Sequence, residues 1–263
     1  MEAKRSEVWP AKLRACGMHF VVTVLVAACA AGLVYGVWYP PPLAQMLGVT
    51  QLFALLLVCD VVLGPLMSLV IYHPQKSRRM LRVDYAVIGV IQVAALLYGL
   101  FSVYQARPIF LVWTVDRYAV VTASELAPSA LKALEPTPWQ PAWWKRYHTV
   151  YVAPVQDFGQ KFDLINSALA GGQDLQHVTA NYRAVQDHQA AIFAAAQPLQ
   201  NLQQRYPEHR SAFDAVVQAA GLPAAQLRAV PVQAKRHDGP VFATAVMRAD
   251  SAQPVGWLQL DPF

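Results

Sequence analysis

Charged residues are scarce in this sequence, and their absence is local. Only 14% of the 263 residues are charged, whereas soluble proteins average about 25%. Residues 18–39 and 85–106 contain no Asp, Glu, Lys or Arg, and residues 51–72 contain only Asp60. Because about 20 apolar residues cross the hydrocarbon core as a helix, these runs predict three transmembrane helices.

The ends of the runs exclude the alternative of three buried helices in a soluble domain. Aromatic side chains typical of the membrane–water interface lie there, namely Trp38, Tyr39, Tyr72 and Tyr104. Charge clusters flank runs of equal length. A soluble core requires neither feature.

Basic residues are missing from the connection between the first two runs, which predicts the orientation. They cluster before the first run (Lys4, Arg5, Lys12, Arg14) and between the second and third (Lys76, Arg78, Arg79, Arg82). Positively charged loops stay in the cytoplasm. We therefore predict a cytoplasmic N-terminus over residues 1–17, a transmembrane region over 18–106 and a periplasmic domain over 107–263, in a bacterial inner membrane.

Cysteine is also rare, and none follows Cys59. The exported domain must therefore fold without disulfides. The stretch from Leu25 to Cys29 (LVAAC) allows another interpretation, a lipobox with lipidation of Cys29. The uncharged residues that follow it would leave a hydrophobic segment after cleavage and disfavour this interpretation.

No motif for catalysis, a cofactor or a metal is present. The sequence contains no GxSxG, P-loop or GxGxxG pattern, and its exported histidines lack metal-ligand spacing. We therefore expect a protein that is not an enzyme. Residues 1–106 hold 8 basic and 4 acidic residues, and 107–263 hold 13 and 12. The basic pI therefore comes mostly from the membrane loops and does not indicate nucleic-acid binding.

The exported part predicts an α+β domain. Residues 109–122 favour a β-hairpin with Asp116-Arg117 at its turn, 148–155 a strand, and 157–221 a helical region. The tail returns to strand composition in three segments. The predicted fold is thus an α-helical membrane protein with three transmembrane helices, followed by an α+β periplasmic domain.

Small and polar residues form one stripe on each predicted span. Asp60, Gly64 and Ser68 repeat every four residues, as do Gly32 and Gly36, so each set shares a helix face. Such stripes either pack the three helices together or receive another helix.

Asp60 is the least favourable residue of its stripe in a membrane, because an ionised Asp at mid-membrane costs about 2.5–3.5 kcal/mol of insertion free energy. Pro65 removes a backbone donor nearby. One interpretation is a hydrogen-bonded cluster with Gln92 and Tyr98. The other is a docking point for a cation on a partner's membrane helix.

Four segments together resemble the TfpX/TfpZ family of type IV pilin accessory proteins. They are DVVLGPLMSL from Asp60, QVAALLYG from Gln92, YQARP from Tyr104 and DRY from Asp116, and the resemblance covers residues 14–122. It implies an inner-membrane accessory factor, a pilin-specific chaperone or assembly helper, that binds a type IV pilin through its membrane helices and periplasmic domain.

The partners expected are therefore a type IV pilin and the lipid bilayer, without nucleic acid or cofactor. Whether the chain also forms a homo-oligomer stays open. The alternative is a membrane-anchored periplasmic sensor or scaffold in envelope assembly unrelated to pili. The candidate partner-binding residues are Asp60, Gly64, Pro65, Ser68, Gln92, Tyr98, Gly32, Gly36 and Arg107.

Overall fold

The computed structural model describes residues 2–73, 75–135, 137–252 and 254–261, with side chains from residue 9 onward. Two compact units make up the chain. The first contains the residues up to Val37 together with Gly48–Gln105, and the second contains Trp38–Leu47 together with the residues from Ala106 onward. The predicted boundaries of the cytoplasmic, membrane and periplasmic segments stay predictions, and residues 1, 262 and 263 lie outside the described part.

Three long helices form the first unit. They are α1 (Glu2–Leu33), extended by a π-helical turn (Val34–Trp38), α3 (Val49–Ile71) and α4 (Arg78–Gln105). Trp9–Trp38, Val49–Ile71 and Arg78–Gln105 are long and apolar enough to cross a membrane, which confirms the predicted three-span fold class. α4 begins at Arg78 rather than at residue 85, since Arg and Leu are good helix formers.

Close packing in this unit uses other small residues than Gly32 and Gly36. The buried face of α1 carries Thr23, Ala27, Ala30 and Val34, at alternating steps of four and three. Between α3 and α4, a Cβ on Gly99 would lie 2.5 Å from Leu56 Cδ2. The absence of a side chain at Gly99 therefore allows these two helices to approach.

An eight-stranded sheet organises the second unit, in the order β4-β3-β1-β2-β6-β7-β8, with β5 also paired to β6. β1 pairs in parallel with β3, and β2 in parallel with β6. The predicted β1–β2 hairpin is confirmed, and the three predicted strand segments of the tail form β6, β7 and β8, in which β7 pairs antiparallel with both of the others. The strands are β1 (Pro108–Trp113), β2 (Tyr118–Thr122), β3 (His148–Val152), β4 (Tyr182–Ala184), β5 (Gln197–Pro198), β6 (Leu227–Arg236), β7 (Gly239–Arg248) and β8 (Pro254–Leu258).

Short helices surround this sheet: α2 (Leu43–Met46), α5 (Pro128–Ala133), α6 (Phe158–Leu169), α7 (Gln189–Ala195), α8 (Leu199–Arg205) and α9 (Arg210–Ala220). The predicted helical region 157–221 is corrected, because the short strands β4 and β5 and several 3-10 turns interrupt it. Its predicted stop at Gly221 is confirmed. α9 ends at Ala220, and Gly221 has φ of 65°, the left-handed conformation that glycine adopts most easily.

The strand that follows the third span, β1, is buried along its whole length. Leu111 and Trp113 contribute to one hydrophobic cluster, and Phe110 and Val112 to another. A central strand with both faces covered reads as a continuous apolar run, which is why its position was predictable.

The connection between the first two spans packs into the hydrophobic core of the second unit. Leu43 and Met46 of α2 are 1% and 3% exposed and join the cluster that contains Trp113 and Tyr118. In the predicted division of the chain, these residues fall within the transmembrane region 18–106. Their burial requires that the connection and the domain from residue 106 onward lie on the same side of a membrane, as three spans demand.

Candidate functional site

A chain of hydrogen bonds links all three membrane helices of the first unit. Gln92 Nε2 on α4 donates to Asp60 Oδ1 on α3 at 3.1 Å. Gln92 Oε1 lies 3.0 Å from His19 Nε2 on α1, and His19 Nδ1 lies 2.5 Å from Ser68 Oγ on α3. A neutral imidazole protonated at Nε2 satisfies both of its bonds, because Nε2–H donates to Gln92 and Nδ1 accepts from the Ser68 hydroxyl.

This cluster corrects the predicted Asp60–Gln92–Tyr98 arrangement. Asp60 and Gln92 meet as expected, but Tyr98 is 75% exposed, and among the described residues no hydrogen bond joins its hydroxyl to Asp60. Six residues separate Gln92 from Tyr98, which is about 240° around a helix of 3.6 residues per turn. His19 takes the place that the sequence analysis had given to Tyr98.

Three of the candidate residues on α3 face the inside of the helix bundle. Gly64, Pro65 and Ser68 are buried, and a Cβ on Gly64 would collide with Gln92 Nε2. Gly64 therefore makes room for the amide that holds Asp60. Asp60 itself is half-buried.

Gly32 and Gly36 on the first span have a different environment. Among the described residues, no atom lies within 4 Å of the position that a Cβ would occupy on either glycine. Their stripe is therefore not covered by α3 or α4. Both glycines are exposed.

Arg107 lies in the second unit, where the chain enters β1. It is 6% exposed, and its carbonyl accepts a hydrogen bond from the backbone N–H of Ala123. Its guanidinium is close enough to Tyr39 to act on that residue electrostatically. This position favours a role in holding the start of the domain over direct contact with a partner.

An exposed apolar surface of the second unit follows one face of α6. Phe158, Phe162, Ile165 and Leu169 lie at successive steps of four, three and four, so they share a face. They are exposed by 82%, 57%, 49% and 82%. We call these four residues the α6 stripe.

The sequence and its capping explain why α6 is a helix although folding buries none of its residues. Asp157 precedes it and accepts a hydrogen bond from the Gln160 N–H at 2.8 Å. At the other end, the Gly172 N–H donates to Ser167 O at 2.8 Å, and Gly171 has a φ of 79°. Capping at both ends thus supports an amphipathic helix on which Phe158, Phe162, Ile165 and Leu169 stay exposed.

A groove of about 830 Å³ runs beside α6. Leu164, Ile165 and Ala168 of the helix line one wall, and the β1–β2 turn and strand β6 supply others. Its charged lining residues have both signs: Asp116, Arg117, Glu125, Lys161, Asp174, Lys235 and Arg236. A surface of this kind suits a protein segment with apolar and mixed-charge side chains better than a single small anion.

Hydrogen bonds fix several polar groups of the groove in place. Arg117 Nε donates to Asp116 Oδ1 at 2.7 Å, and this bond lowers the pKa of the Asp116 carboxyl. Arg117 NH1 donates to Gln233 Oε1 at 3.1 Å. Burial lowers the pKa of His177, whose Nδ1 accepts the Asp174 N–H at 2.9 Å. The neutral form of His177 is therefore favoured at neutral pH.

His19 and the α6 stripe are the features that the sequence analysis missed. His19 lies inside the run 18–39, which contains no Asp, Glu, Lys or Arg but does contain this histidine. A polar side chain within a span is itself a functional signal. Among the described residues, no group of three or more His, Cys, Asp or Glu side chains is arranged to hold a metal ion.

Comparisons with known proteins give the family context. Residues 7–48 match the family model "Fimbrial assembly protein FimB". Over 110 residues, the chain is 37% identical to the fimbrial assembly protein of serogroup I from Dichelobacter nodosus and 36% identical to that of serogroups C1 and C2. No solved structure matches the chain.

The coverage of these matches differs between the relatives. The matched region is 42% of this chain. It spans 43% of the serogroup I protein and 84% of the serogroups C1 and C2 protein. A third relative, the serogroup E1 protein of the same organism, is 34% identical and is covered over 43% of its length.

Proposed function

Because the chain belongs to the fimbrial assembly protein FimB family, we propose that it is an accessory factor that holds a type IV pilin before the pilin enters the fimbria. The names of the relatives support a role in fimbrial assembly and favour it over a sensor or scaffold unrelated to pili. The finer assignment to the TfpX/TfpZ family stays a prediction, as does the expectation that the chain is not an enzyme.

The α6 stripe is the observation that supports the proposed contact with the globular head of the pilin. Monomeric soluble proteins rarely leave contiguous large apolar patches exposed, and such patches mark interaction sites. The stripe lies beside a groove whose walls carry both signs of charge. An apolar centre with a charged rim is the usual composition of a protein interface.

The membrane unit supplies the second part of the proposed contact. A type IV pilin carries a hydrophobic N-terminal helix in the bilayer and a globular head in the periplasm. The polar groups of α1, α3 and α4 bond to one another, whereas Gly32 and Gly36 stay uncovered. Small residues allow close approach of a second helix in lipid, so we assign the pilin helix to this stripe.

We further propose an inner-membrane location with the N-terminus in the cytoplasm and the second unit in the periplasm. The basic residues before the first span and between the second and third support this orientation. An alkaline phosphatase fusion after residue 261 should be active, and one after Ser77 inactive. The reverse pattern would overturn the orientation.

The direct test is co-purification of pilin with the tagged full-length chain from detergent-solubilised membranes. Phe158→Ser combined with Phe162→Ser should reduce pilin recovery by roughly tenfold or more, because interface aromatics often contribute more than 2 kcal/mol each. Gln160→Ser combined with Asp163→Ser, on the polar face of the same helix, is the matched control. Equal recovery with both double variants, at matched membrane levels, would rule out the α6 stripe as the pilin contact.

A further inference from the structure

Two aromatic and two basic side chains form an exposed loop before β3. Trp143 and Trp144 are 56% and 61% exposed, with ring centroids 5.5 Å apart and planes at 87°. Lys145 and Arg146 follow them and are also exposed. No acidic residue occurs between Glu135 and Asp157, so this part of the chain is purely basic. We call Trp143–Arg146 the WWKR loop.

A hydrogen bond ties this loop to the end of the first membrane span. Trp38 is the last residue of the apolar helix Trp9–Trp38, and its Nε1 donates to the carbonyl oxygen of Trp143 at 2.7 Å. The indole of Trp38 is 7% exposed. The loop therefore lies one hydrogen bond from the last residue of an apolar helix that is long enough to cross a membrane.

The sheet topology gives the same position independently. β1 begins at Pro108, three residues after α4 ends at Gln105. β3 runs parallel to β1, with His148 beside Phe110, so the residues that lead into β3 lie at the edge of the sheet where the chain arrives from the third span. The turn at Val115, between β1 and β2, lies at the opposite end of β1.

Tryptophan and basic side chains in this position match the chemistry of a lipid headgroup layer. Indole rings partition to the membrane–water interface, and Lys and Arg are attracted to anionic lipids. From the geometry we infer that the WWKR loop inserts its indoles into the headgroup region of the bilayer and binds acidic lipid headgroups through Lys145 and Arg146. This contact anchors the second unit to the membrane surface, and it does not depend on the proposed function.

Spin-label depth measurements on the full chain test this inference. Cys16, Cys29 and Cys59 are replaced by Ser, and a single label is placed by Trp144→Cys in one variant and by Val115→Cys in the other. Val115 is the matched control, because it is an apolar residue, 80% exposed, at the far turn. The protein is reconstituted in nanodiscs of phosphatidylcholine with or without phosphatidylglycerol.

We expect the label at 144 to collide more with oxygen and less with a water-soluble nickel complex than the label at 115. Phosphatidylglycerol should increase this difference, and Lys145→Glu with Arg146→Glu should remove the increase. Equal collision with nickel at both positions would overturn the inference. Protection of position 144 from both oxygen and nickel would also overturn it, because that result indicates a protein contact.

Discussion

At the scale of single residues, the structure changes what Asp60 is expected to do. Its carboxylate accepts a hydrogen bond from the amide of Gln92. The same amide bonds to His19, and His19 also bonds to Ser68. Three helices thus satisfy one another's polar groups, and His19 is the residue that joins α1 to the other two. These internal hydrogen bonds are enough to explain why a membrane span contains Asp60. A cation on a partner's helix is not required for that.

Substitutions in this cluster should therefore have unequal effects. Asp60→Asn keeps an oxygen that accepts from Gln92 and should be mild. His19→Leu leaves both Ser68 and Gln92 without their partner and should lower the free energy of unfolding by about 1–3 kcal/mol. The measurement is unfolding of the full chain by SDS titration in mixed micelles.

Tyr98→Phe serves as the control in that experiment, since Tyr98 is exposed and lies outside the cluster. If Asp60→Asn proved as destabilising as His19→Leu, the assignment of His19 as the central residue would be wrong. If Asp60→Asn instead left stability unchanged but abolished pilin recovery, the carboxylate would have the partner role that the sequence left open.

The sequence allowed part of this site to be predicted. Asp60 and Gln92 lie at similar depth on neighbouring spans, so their pairing followed from position along the helices. Tyr98 lies at a similar depth to Asp60, but it lies on a different side of α4 from Gln92. Depth can be counted from the sequence, whereas the face that a helix presents to its neighbours depends on packing that no single span encodes.

At the scale of elements, the connection between the first two spans matters most. Its short helix α2 places Leu43 and Met46 in the core beside Trp113. The sequence showed only an uncharged, proline-rich connection between spans. Its burial depends on strands more than 60 residues later in the chain, a long-range contact that local patterns do not reveal.

Truncating this connection should destabilise the second unit. Leu43→Ala removes a fully buried side chain and should cost about 2–5 kcal/mol, whereas Gln45→Ala on the same short helix, where the side chain is exposed, should cost almost nothing. Limited proteolysis of the full chain in detergent measures the effect. Equal resistance of the two variants would show that α2 does not contribute to the core.

Six of the eight strands were predicted, because β1, β2, β3, β6, β7 and β8 are apolar and bounded by turn residues, whereas β4 and β5 fell within the predicted helical region. The β6–β7 hairpin turns at His237 and Asp238. Gly239, the first residue of β7, has a φ of 128°, a conformation that only glycine adopts easily. α6 was also predicted as helical. The exposure of its apolar face was not predicted, because amphipathic spacing is the same whether a helix packs on its own domain or binds a partner.

At the scale of the whole molecule, two units offer two surfaces. The first unit links Asp60, Gln92, His19 and Ser68 by internal hydrogen bonds and leaves the Cβ positions of Gly32 and Gly36 open, and the second leaves the α6 stripe exposed beside its groove. The family match includes the first span and the connection. The α6 stripe lies outside that match and is the part on which the proposed recognition of pilin depends.

The most direct measurement is site-specific photo-crosslinking in living, fimbriated cells. A photoreactive amino acid is placed at Phe162, on the α6 stripe, and separately at Asp163, its neighbour on the polar face of the same helix. Our account predicts a crosslinked adduct with the pilin from position 162 and little or none from position 163. No pilin adduct from position 162, or equal adducts from both positions, would contradict it.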